Sequence, residues 1–212
     1  VFRTEIGNYW HLQYVKTAIY GDKSNFNQDL SLFNIVWQIN YTMLFMTILS
    51  FINLKRLKNT VLGFTNLTLN GFVLSIFAVI GLFFISELRE SYLNQSQGIF
   101  PTTFWHIAIR YISFAFAVAL IYVSYRLYKS EFLQKVADIM LIFEMVFAGI
   151  MLIFLSSELL NLMDIFGYND SYKLALSLLW GSYSLILIGL GIWKRKTHLR
   201  IGAIILFAFT LV

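Results

Sequence analysis

Cysteine is absent from the 212 residues and proline occurs once. The first absence excludes disulfides, a thiolate nucleophile and any cysteine-based metal site. The second leaves long stretches without the residue that breaks helices most effectively. Charge is scarce as well: 13% of the chain is Asp, Glu, Lys or Arg, against roughly 25% in soluble domains. No Gly-rich phosphate loop and no G-x-S-x-G elbow occur. The histidines, His11, His106 and His198, are never at ligand spacing from one another, so neither a metal nor a cofactor is expected. What the chain does have is hydrophobicity, 58% of its residues including twenty-one Phe, with a mean hydropathy of +0.70. Lipid, rather than water, is the solvent this balance implies.

Crossing a hydrocarbon core of roughly 30 Å takes about 20 apolar residues in a helix. Five runs qualify, at about 32–53, 61–85, 104–127, 136–156 and 174–193, and a sixth, 199–212, is too short to span. The runs lack the alternation of a barrel strand, and an unpaired backbone in lipid favours helix. The fold class expected is therefore an all-α, polytopic transmembrane bundle. The "VF" before "RTE" reads as the tail of a further helix, with residues 1–31 as an external segment, and the last run reads as cut inside a helix.

Three connections hold ten of the sixteen basic residues: Lys55, Arg56 and Lys58; Arg126, Lys129 and Lys135; Lys194, Arg195, Lys196 and Arg200. The alternate connections are balanced or acidic, with Glu87 and Glu90 in one and Glu158, Asp164 and Asp170 in another. Lys and Arg in short loops mark the cytoplasmic side, so the basic turns are expected inside and the glutamate-bearing loops outside. Topology and anionic lipid explain such turns better than nucleic acid, which is not an expected partner.

The glutamates recur in a pattern. "FFISELRESY" at 83–92, "FLSSELLNL" at 154–162 and a weaker "FRTEIGNYW" at 2–10 each place Glu after Ser or Thr and before Leu or Ile. The spacing matches a helical hairpin plus its loop, which suggests duplication of that unit. Each glutamate is expected at the outer end of an outward-running helix. Arg110, about six residues inside the third run, is costly there unless it snorkels or pairs. A Glu87–Arg110 or Glu158–Arg110 pair would lock helix ends, and Lys173 occupies the corresponding point of the next unit. The competing readings are plain interfacial chemistry and a substrate role.

Glu144 is expected close to the bilayer midplane, where an acidic group usually faces a cavity or partner; it reads either as a proton or cation relay or as a hydrogen-bonded helix contact. Ser31, Asn34, Gln38 and Thr42 on the first run, and Gly63, Asn66, Asn70, Gly71 and Ser75 on the second, form stripes expected to face other helices, as does Ser177-xxx-Gly181. His106 could join Glu87 and Glu90 in an external acid/base cluster. Trp10, Trp105, Tyr168, Tyr172 and Trp193 suit interfacial belts. The triplets at 94–96 and 169–171 match the glycosylation pattern but read as chance.

"SELRESYL", "IRYISF", "SSELLNLMDIFG" and the stretch from Ser171 to Val212 resemble the C-terminal part of a bacterial family of predicted polytopic membrane proteins catalogued as domain of unknown function 2339. The resemblance is strongest from Ser156 onward and implies an inner-membrane protein. It supplies no reaction, ligand or catalytic residue. The leading expectation is a non-enzymatic envelope scaffold or assembly component, with the lipid bilayer and an envelope protein or a second copy as partners. The alternatives are a transporter or channel using Glu144 and Arg110, and a transferase on a lipid-linked substrate using Glu87, Glu90 or Asp164.

Overall fold

Apolar runs without proline satisfy every backbone N–H and C=O internally only as helices. The computed structural model describes residues 1–17, 26–94, 100–133, 137–168 and 171–210, with the backbone alone for 137–142 and 209. Among the described residues there are seven helices and no strand: α1 Phe2–Thr17, α2 Gln28–Leu57, α3 Thr60–Leu93, α4 Trp105–Tyr128, α5 Ala137–Phe166, α6 Tyr172–Trp193 and α7 Thr197–Phe209. Helices α2 to α6 each contain a segment long and apolar enough to cross a membrane. The chain is an all-α bundle compatible with a multi-pass membrane protein. Lys135, Asp170 and parts of the triplets at 94–96 and 169–171 lie outside the described residues. The helices fall into two compact units, Val1–Lys135 and Val136–Val212.

In the first unit α2 is central, packing against α1, α3 and α4. Its buried positions, Phe33, Val36, Asn40, Met43, Met46, Ser50 and Asn53, step by three and four, the period that keeps one face of a helix on its neighbours. The polar stripe Asn34–Gln38 meets α1 instead: Arg3 Nε donates to Gln38 Oε1 at 3.3 Å and Gln38 Nε2 to Asn34 Oδ1 at 2.9 Å. A Cβ at Gly7 would stand 3.2 Å from the Gln38 amide, so α1 lies close. Ser31 is exposed, whereas Gly63, Asn66 and Asn70 are buried as expected.

The basic turn after α2 is tied by Asn53. Its side chain donates to Asn59 O at 3.2 Å and accepts from Asn59 N at 3.1 Å. Lys58 takes a left-handed conformation, φ 47°, and Asn59 caps α3 by accepting from Leu62 N. Phe132 and Leu133 crowd Gly63 just beyond this turn. The 55–58 turn and the chain after α4 therefore occupy the same end of the unit.

Two helices run past the apolar stretches that announce them. The expected ends were 85 and 156; the observed ones are Leu93 and Phe166. Glu and Leu form helix well in either solvent, so hydropathy marks where lipid ends, not where the helix does. Glu87 and Glu158 accordingly lie inside helices. Glu5 departs from the pattern altogether, standing in the first turn of α1, which continues to Thr17. At about 1.5 Å per residue, the 34 residues of α3 reach roughly 50 Å. A π-helical turn at Phe77–Gly81 shifts the face of α3 midway.

In the second unit Trp180 Nε1 donates to Ser156 Oγ at 2.9 Å and Tyr183 Oη to Ala148 O at 2.8 Å, tying α6 to α5. The close approach of α7 to α6 is at Gly191, where a Cβ would meet Arg200 Cγ at 2.7 Å. The Ser177-xxx-Gly181 seam is not used within this unit: Ser177 is exposed and a Cβ at Gly181 would touch nothing.

Candidate functional site

Two polar clasps, one near each end of the first unit, each draw one residue from α2, α3 and α4. In the first, Asp29 Oδ2 accepts from Ser91 Oγ at 2.7 Å and lies 3.3 Å from His106 Nε2. In the second, Asn70 Nδ2 contacts Ser50 Oγ at 3.0 Å and Ser124 Oγ at 2.9 Å. The twenty-one residues from Asn70 up to Ser91 match the twenty-one from Ser50 back to Asp29. The clasps thus fix the antiparallel register of α2 and α3.

Local chemistry builds the first clasp. Asn27 caps α2 by accepting from Asp29 N at 3.1 Å. Across from it, "PTTFWH" opens α4, and Thr103 N donates to His106 Nδ1 at 3.1 Å, in the manner of a capping box with His in place of Glu. With Nδ1 accepting, the neutral ring carries its proton on Nε2 and donates it to Asp29. In the charged ring Nδ1–H turns to Thr103 O at 2.8 Å, and Nε2–H still faces Asp29. Either state keeps the clasp closed.

Around the clasp is a cavity of about 420 Å³, within the range of small-molecule sites. Trp10 stacks on Phe33 at 5.3 Å, and Phe33 meets the His106 ring edge-on at 5.0 Å. Trp37 and Trp105 extend the aromatic wall, and among the described residues no Lys or Arg lines it. The partner of His106 is thus Asp29, not the expected Glu87 or Glu90, both of which are exposed. The sequence signal for Asp29 was its place beside the helix cap at the head of an apolar run.

The other expected site residues are spread. Arg110 is buried, 1% exposed, with its guanidinium 5.2 Å from the Phe114 ring centre. Among the described residues Glu87 makes no ion pair with it. Glu158 accepts from Asn161 at 3.5 Å. Lys173 is exposed at the start of α6, and Asp164 accepts from Tyr172 Oη.

Glu144 gains the partner that the sequence left open. It is the eighth residue of α5, Ala137–Phe166. Its two oxygens take Lys196 Nζ and, at 2.9 Å, His198 Nε2, both from the basic segment that opens α7. His198 was legible only as a lone histidine, since 54 residues separate it from Glu144.

No family model, no curated protein and no solved structure matches the chain.

Proposed function

We propose that the chain is a non-enzymatic helical scaffold of a bacterial inner membrane, with its basic turns toward the cytoplasm and its glutamate-bearing ends outside. The observation that supports this reading most is how the interior polar groups are spent. Asp29 with Ser91 and His106, Asn70 with Ser50 and Ser124, and Glu144 with Lys196 and His198 each join one element to another. Interhelix hydrogen bonds of this kind hold membrane bundles in register. The resemblance of the stretch after Ser156 to an inner-membrane family adds to the reading.

A transporter using Glu144 is the less favoured alternative, because the carboxylate is matched by two basic partners, Lys196 and His198, from the start of α7. Glu144→Gln separates the two. A scaffold keeps its expression and self-association and shows no change in solute or ion flux in proteoliposomes. A Glu144→Gln protein that folds and loses a flux present in the parent overturns the proposal.

A further inference from the structure

We propose that the aromatic cavity around Asp29 binds an alkylammonium group carried on an apolar body. This goes beyond the scaffold reading, and no feature of that reading requires it.

The first argument is the carboxylate. Both hydrogen bonds to Asp29 end on Oδ2, which leaves Oδ1 without a partner among the described residues. The side chain remains 17% exposed, so Oδ1 is open to a ligand. Among the described residues the cavity lining offers this carboxylate no Lys or Arg. An anion is repelled by such a site. A neutral apolar ligand would desolvate the carboxylate without replacing its lost hydrogen bonds, an unfavourable exchange. An ammonium group supplies both charge and donors.

The second argument is the wall. Trp10, Trp37 and Trp105 line the same cavity, and indole faces are the best aromatic partners for a cation. Trp105 is 60% exposed, which places it at the mouth; Phe33, held between Trp10 and His106, forms the floor. The carboxylate is also preorganised, since Ser91 and His106 hold it before any ligand arrives, and preorganisation lowers the cost of binding. Two sources present this chemistry: an ethanolamine-headed lipid entering from the bilayer, and a free aromatic or aliphatic amine entering from water.

The test uses the 212-residue chain in phosphatidylglycerol nanodiscs, with tryptophan fluorescence as the readout. Titration with benzylammonium is expected to give a saturable change, while benzyl alcohol and phenylacetate give none over the same range. Asp29→Asn should weaken the ammonium by roughly tenfold or more, the loss expected when a charge-assisted contact becomes neutral. Ser91→Ala removes a clasp hydrogen bond but keeps the charge, and should alter affinity only a few-fold. If phosphatidylethanolamine in the disc competes, the source is a lipid headgroup; if it does not, the source is a free amine. Equal responses to the cation and to benzyl alcohol overturn the proposal, even should Asp29→Asn fail to fold. So does undiminished cation binding by a folded Asp29→Asn protein.

Discussion

Asn70 shows what one amide is worth inside this bundle. It is fully buried, on α3, and its Nδ2 reaches hydroxyls on both α2 and α4. In water such contacts would compete with solvent; between helices in lipid they average roughly 0.6 kcal/mol and reach about 1.7 kcal/mol. Asn70→Ala is therefore expected to cost about 1–2 kcal/mol, read as a lowered midpoint in detergent-mixture unfolding, with helix content retained. Ser91→Ala removes one hydrogen bond and should cost less. If both leave the midpoint unchanged, the clasps do not hold the helices together. Residue-scale chemistry was only half legible. Asn70 stood out because an amide recurring at helical spacing in an apolar run must find partners. Ser50 and Ser124 did not, because a lone Ser in a helix can bond its own backbone and gives no sign of its neighbour.

At the level of elements, sequence spoke clearly about existence and poorly about ends. Five apolar runs became five helices because nothing in them offers an alternative to internal hydrogen bonding. The ends at Leu93 and Phe166 lay beyond the runs because SELRESYL and SSELLNLMDIF propagate a helix as well as the residues before them. The π-helical turn at Phe77–Gly81 had no signature beyond a glycine. The structure gives that glycine its reason: a Cβ there would come 2.5 Å from the ring of Phe77, itself buried. Gly81→Ala must push the ring or unwind the extra residue, and overpacking of this kind typically costs about 1–3 kcal/mol. Gly71→Ala, where a Cβ meets nothing within 4 Å, is the matched control and should be neutral or slightly stabilising, since Ala is the better helix former. Thermal unfolding of the two variants in the same detergent checks the contrast; equal midpoints would remove the packing role assigned to Gly81.

Over the whole molecule, the ends of the first unit differ in chemistry. At one, Lys55 lies 4.6 Å from the Phe51 ring centre, Lys129 lies 4.8 Å from that of Tyr125, and Arg126 donates to Tyr122 Oη at 3.0 Å. All three cations bend back by four residues onto an exposed aromatic ring, the posture of charged groups whose stems cover apolar surface while their heads stay with water and phosphate. At the other end stand Asp29, Glu87, Glu90 and the tryptophans. Basic residues in short loops are retained on the cytoplasmic side during insertion, so the proposed orientation has the Lys55 end inside and the Asp29 end outside. Because the chain contains no cysteine, single substitutions can report it without background. Lys58→Cys and Lys194→Cys, both at exposed turn positions, should react with a membrane-impermeant maleimide only after cells are opened. Glu90→Cys and Lys173→Cys, exposed at the opposite kind of connection, should react in intact cells. Labelling of Lys58→Cys and Glu90→Cys from the same side would mean that α3 does not cross the bilayer. Lys58→Cys and Lys194→Cys appearing on opposite sides would mean that an odd number of crossings separates the two basic turns. Either result is incompatible with the basic turns being shared by one face, because α3 and α4, then α5 and α6, must each cross once for the charge pattern to follow from insertion.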